Sequence, residues 1–100
     1  MIEIPFLPEF KEALASGKKT ATTRTKRYGK AGEIFTAFGM KFEIMDIVKK
    51  PLDEIRTFFF DDEGFNNPKE FEIVWNKIHP KGYELQKDEL FYFHTFKRVD

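Results

Sequence analysis

At 100 residues, with no cysteine and a formal net charge of zero, the chain excludes disulfide-stapled folds, thiolate metal centres and cysteine nucleophiles, and its bulk charge gives no support for nucleic-acid binding. The length reads as one domain, residues 1–100. A chain this short buries only about 60–65% of the surface it exposes when unfolded, so its core must come from large apolar side chains. Thirteen Phe beside 3 Tyr and 1 Trp supply them. No apolar run reaches the ~18 residues of a membrane span. Met1 to Pro5 lacks a basic and apolar leader pattern, so the cytoplasm is the expected location.

In chain order, Ile2 to Phe6 predicts a short first strand and Pro8 to Ser16 a helix. Phe10, Ala13 and Leu14 share a helical face, and Gly17 stands where a left-handed C-terminal residue is wanted. Thr20 to Thr25 is the densest β-branched stretch and predicts a strand, unusually polar for a core. Gly29 and Gly32 bracket a turn. Strands follow over Glu33 to Phe38 and Lys41 to Val48, with Phe42 and Ile44 on one face and Glu43 and Met45 on the other. Pro51 opens a short helix towards Phe60, and Asp61 to Asn67 is a loop. Asn67, Pro68 and Glu70 have the N-cap, N1 and N3 pattern of a second helix. Phe71, Val74, Trp75 and Ile78 form its apolar stripe, and His79-Pro80-Lys81-Gly82 stops it. Leu90 to Phe96 is the last strand. Strands on both sides of two helices, without βαβ alternation, predict an α+β fold or a small barrel with helical insertions.

The charges are unevenly distributed. Lys18, Lys19, Arg24, Lys26, Arg27 and Lys30 form a run with no acid before Glu33, so a neutral chain can still present one positive face. On a strand Thr20, Thr22 and Arg24 share a face, and Lys19 in the preceding turn can approach it. Arg offers a planar fork for oxyanions and Lys a mobile point charge. The same residues also suit a solvated edge strand whose cations discourage edge pairing. Glu70 has two readings as well: a capping-box residue, or a carboxylate kept ionised by the helix N-terminus. His79 and His94 have no second ligand at metal spacing, and Asp61-Asp62-Glu63-Gly64 lacks a calcium-loop pattern. No metal and no cofactor are expected. In Phe58-Phe59-Phe60 the three rings cannot all face inwards on one short helix, so an exposed ring there is a candidate protein-docking point, as on an adaptor.

Gly17-Lys18-Lys19-Thr20-x-Thr22-x-Arg24 resembles the GxKxxxxR signature of the ASCH (activating-signal-cointegrator homology) domains, with Gly17, Lys19 and Arg24 at the matching positions. Tyr28-Gly29-Lys30-x-Gly32-Glu33-Ile34-Phe35, Glu63-Gly64-Phe65, Trp75-x-x-Ile78-His79-Pro80 and Phe91-Tyr92-Phe93-His94-x-Phe96 extend the resemblance over nearly the whole chain. The resemblance implies a PUA-like fold, a small β-barrel with flanking helices around a cleft, and binding of RNA or a modified nucleoside. Gly17, Lys18, Arg24, Lys26, Arg27 and Lys30 would then contact the ligand. Some small bacterial members of the family are amidohydrolases that deacetylate N4-acetylcytidine through a Lys, a Thr three residues later and a Glu on the later helix. Lys19, Thr22 and Glu70 are the residues here that resemble that set.

Overall fold

The computed structural model describes residues 1–100. Strand β1 (Ile2–Glu3) is followed by a 3-10 turn (Pro8–Phe10) and by α1 (Lys11–Ser16). Next come β2 (Ala21–Arg24), β3 (Ile34–Ala37) and β4 (Met40–Pro51). Then follow α2 (Leu52–Phe58), α3 (Pro68–Ile78), α4 (Tyr83–Gln86) and β5 (Leu90–Arg98). The five strands form one mixed sheet in the order β1-β3-β4-β5-β2. The β1–β3 pair is parallel and the rest are antiparallel.

The α+β class is as expected, but the sheet does not close into a barrel. Strands β1 and β2 are its two edges and do not pair with each other. The first strand stops at Glu3 rather than reaching Phe6, because Pro5 has no N–H to give to a ladder. At the other edge, the N–H groups of Thr20 and Ala21 donate to the carbonyl of Asp62, at 2.7 and 3.0 Å. A loop, not a strand, therefore takes the start of β2.

Strand β4 is longer than its apolar alternation suggests, and it is bulged between Ile44 and Asp46. Met45 is the extra residue and is exposed, so the inward alternation of Phe42 and Ile44 shifts before Ile47. Strand β5 lies between the central strand β4 and the edge strand β2. Its alternation sends Phe91 and Phe93 to one face and His94 and Phe96 to the other. Two apolar clusters result. One gathers Ile4, Leu14, Phe35, Phe42, Ile44 and Phe96; the other gathers Leu52, Ile55, Phe71, Trp75, Phe91 and Phe93. Each fully buried ring or branched chain contributes roughly 1.5–3 kcal/mol. Phe10 packs against both clusters and joins them. Of the phenylalanine triplet, Phe59 and Phe60 pack on the second cluster, and Phe58 is exposed. No helix is long and apolar enough to cross a membrane.

Candidate ligand-binding cavity

A cavity of about 380 Å³ opens between the chain leaving β1, at Pro5 to Leu7, and the opposite edge strand β2. Helix α3 forms its far wall through Phe71, Val74, Trp75 and Ile78. The cavity thus occupies the gap between the two unpaired edges, and its size falls in the range of about 300–1,000 Å³ usual for ligand pockets.

At its inner end three polar side chains are tied together. Lys19 and Glu63 are only 3% and 4% exposed. The Lys19 ammonium donates to Glu63 Oε1 at 3.2 Å and to the Glu63 carbonyl at 2.9 Å. Thr23 Oγ1 donates to Glu63 Oε2 at 2.7 Å. Burial pushes the Lys19 pKa down, and the charge and hydrogen bond of Glu63 oppose that fall. The ammonium also lies 4.7 Å from the centre of the Phe10 ring, which partly replaces lost water.

Local chain geometry explains how a buried cation is reached. Gly17 ends α1 with φ of +83°, so the chain turns and the Lys19 N–H donates to the Ala13 carbonyl at 2.9 Å. The loop carrying Glu63 is wound tightly on the end of α2: the N–H groups of Glu63 and Phe65 donate to the carbonyls of Phe59 and Phe60. Gly64 has φ of +94°, and a Cβ there would stand 3.0 Å from Lys19 Cβ. Only a glycine lets this loop close over the lysine stem.

Arg24 faces the cavity from β2. Its Nε donates to Thr22 Oγ1 at 3.0 Å, as expected for residues on one face of a strand. Its guanidinium carbon lies 4.7 Å from the centre of the Phe6 ring and 5.5 Å from that of Tyr28. Burial lowers its pKa, and Tyr28 and Glu63 oppose the shift. Tyr28 is itself held by His94, which is fully buried. The Tyr28 backbone N–H donates to His94 Nε2 at 3.0 Å. Nδ1 stands 3.0 Å from the Tyr92 carbonyl. Nε2 must therefore be the bare nitrogen and Nδ1 the protonated one, a neutral imidazole. Burial, with the charges of Arg24 and Arg27, keeps the His94 pKa low.

The opposite end is apolar. Trp75 stacks on Phe71, anchors its indole N–H on Gln86 Oε1 at 3.0 Å, and carries the His79 ring at 3.6 Å. Burial lowers the His79 pKa.

The structure therefore brings Lys19, Thr22 and Arg24 to one cavity but leaves Glu70 outside its lining. Glu70 behaves as a cap: its N–H donates to Asn67 Oδ1, and its carboxylate accepts from the Asn66 backbone and side chain. The carboxylate at the cavity is Glu63, and the hydroxyl bound to it is Thr23 rather than Thr22. The sequence signal for Glu63 was its place before Gly64-Phe65, the one acid of its loop followed by glycine and an aromatic. Gly17, Lys18, Lys26, Arg27 and Lys30 stay exposed. Lys18 donates to Asn66 Oδ1 at 2.8 Å. Lys26 reaches the cavity mouth, its ammonium 4.9 Å from the centre of the Tyr28 ring. No group of three or more His, Cys, Asp or Glu side chains is placed to hold a metal ion.

No protein-family model matches the sequence, and no curated protein matches it. Solved structures do. An ASCH domain from Lactobacillus crispatus JV V101 superposes with a TM-score of 0.72 at 17% identity, covering 96% of this chain and 77% of that one. Protein EF3133 from Enterococcus faecalis V583, of family DUF984, gives 0.66 at 22% identity, covering 92% and 71%. Protein PF0455 from Pyrococcus furiosus gives 0.66 at 15% identity, covering 99% and 97%. At these identities the likeness shows the fold alone: it is like that of the Lactobacillus crispatus ASCH domain, with an open sheet in this chain.

Proposed function

We propose that this ASCH-type fold binds RNA or a modified nucleoside, taking one unstacked base into the cavity beside β2. The observation that carries this reading is an aromatic-walled cavity of about 380 Å³ whose rim continues, through Tyr28, onto the exposed cations of the basic run. RNA recognition commonly splays a base out and stacks it on aromatic rings or an Arg plane. Phe6, Tyr28 and Arg24 offer such faces at one end of the cavity, and the stack of Trp75 and His79 forms an aromatic wall at the other. Lys26, Arg27 and Lys30 outside it are exposed and would meet phosphates, Arg27 through the terminal nitrogens left by its Nε–H bond to the Gly29 carbonyl. The test is a titration with short single-stranded RNAs and with nucleosides at several salt concentrations. Saturable binding that Trp75→Leu weakens supports the reading; no binding at any salt concentration would remove it.

A second reading is hydrolysis of an acylated nucleoside such as N4-acetylcytidine. The observation in its favour is a buried lysine of lowered pKa beside a carboxylate, in the same cavity as Thr22. Thr22 Oγ would attack the acyl carbon and Lys19 would take its proton. The C–N bond would then break, with a proton passing to the departing amine, and water would cleave the acyl ester to acetate. Glu63 would take the part expected of Glu70. Thr22 accepts from Arg24 and makes no hydrogen bond to Lys19 or Glu63, so binding is the reading put first. Cytidine release by the wild type, lost in Lys19→Ala, would reverse that order.

A further inference from the structure

Arg24 carries the cavity's unmatched charge. The other cation of the cavity, Lys19, is matched by Glu63, and both oxygens of that carboxylate are already occupied. Arg24 makes no salt bridge: its Nε–H is committed to Thr22, and the neutral Tyr28 side chain is its other polar neighbour. The side chain is only half-buried, so its terminal nitrogens are not sealed away. They open onto the cavity, which Arg24 lines. Phe6 and Tyr28 hold the guanidinium in place, and the Thr22 hydroxyl fixes its rotation. A positioned fork with no anionic partner suits a bidentate oxyanion far better than a neutral carbonyl. The additional cations nearest to it, Lys26 and Arg27, precede Tyr28 in sequence and add to the positive field at the mouth.

We propose that Arg24 receives a phosphate group of the ligand, so that the cavity takes a nucleotide, or the phosphorylated end of an RNA, in preference to a free nucleoside. This rests on the nucleoside-binding reading above and adds the charge state of the ligand to it. The base then occupies the apolar end beside the Trp75–His79 stack, with its phosphate towards β2.

The test is calorimetric titration of the wild-type chain with the four ribonucleosides and with their 5′- and 3′-monophosphates, at low and moderate salt. A charge-assisted bidentate contact should make at least one monophosphate series about tenfold tighter than its nucleosides. Which of the 5′ and 3′ series gains tells the orientation of the base. Arg24→Gln should collapse the ratio to about one, and Arg24→Lys, which keeps the charge without the fork, should leave it between the two. A wild-type ratio near one, or a ratio that Arg24→Gln leaves intact, would overturn the proposal while nucleoside binding stood. The wild-type ratio decides the matter even if the variants do not fold. Failure of nucleosides, nucleotides and RNA alike to bind would remove the nucleoside reading and this inference with it.

Discussion

The six cations between Lys18 and Lys30 look alike in sequence, yet the fold divides them. Lys19 is buried and paired, and Arg24 is half-buried against aromatic rings. Lys18, Lys26, Arg27 and Lys30 remain in water. The division follows from the chain path. A left-handed glycine turns Lys19 inwards, alternation on a four-residue strand points Arg24 at the cavity, and the loop after Arg24 has no apolar face to bury its cations. Burial makes the inner pair sensitive to geometry and costly to disturb. The outer four are sensitive to salt and cheap to replace.

The sharpest way to break this contrast is to strip one partner from the inner pair. Glu63→Ala leaves a buried ammonium without its carboxylate and should cost about 3–5 kcal/mol by chemical denaturation. The pair Lys19→Met with Glu63→Leu should recover much of that loss, because removing both charges leaves neither uncompensated. Glu70→Ala, which removes only cap contacts, should cost about 1 kcal/mol or less. Equal losses at Glu63 and Glu70 would show that the buried pair has no special standing.

Gly64→Ala comes next. A side chain at φ of +94° that also meets Lys19 Cβ at 3.0 Å should cost about 1–3 kcal/mol in thermal or chemical unfolding and weaken binding as Lys19 shifts. Gly17→Ala, strained in φ but open in space, should cost less.

The basic run, the Gly17 turn, the Asn67-Pro68-Glu70 helix start and most of the strands were legible because each depends on neighbours a few residues apart. The partner of Lys19 was not: Glu63 lies 44 positions away and meets it only through tertiary packing. Glu70 looked suitable because its local pattern is strong, and that pattern is the cap it forms. Barrel closure was a matter of two edges finding each other. Pro5 and the Asp62 carbonyl prevent it, and neither effect can be weighed without the fold. The four-residue α4 is too short to leave a periodic signal.

A smaller effect should come from pH. His94 is neutral and its pKa is depressed in the fold, so the unfolded chain binds the extra proton first. Stability should be fully present above the unfolded value of about 6.5 and decline as pH falls below it. Protonated Nε2 can no longer accept from the Tyr28 N–H, so the basic loop should loosen as well. His79 shifts in the same direction, and His94→Gln should flatten the stability–pH slope more than His79→Gln does. Smallest for stability is the outer group. Lys26→Ala with Arg27→Ala should leave unfolding within about 0.5 kcal/mol of wild type. The same pair should lower the salt slope of RNA binding by about 0.7 for each phosphate that the variant fails to neutralise.

In the proposed complex the ligand enters the cavity rather than resting on the outer cations. Trp75 is the sole tryptophan of the chain and lines the cavity's far wall, so its emission reports occupancy directly. Titration with a nucleotide or short RNA should give a saturable change in Trp75 emission, with the same midpoint as binding measured by calorimetry. Binding by calorimetry with Trp75 emission unmoved would contradict the account and place the ligand on the exposed loop alone.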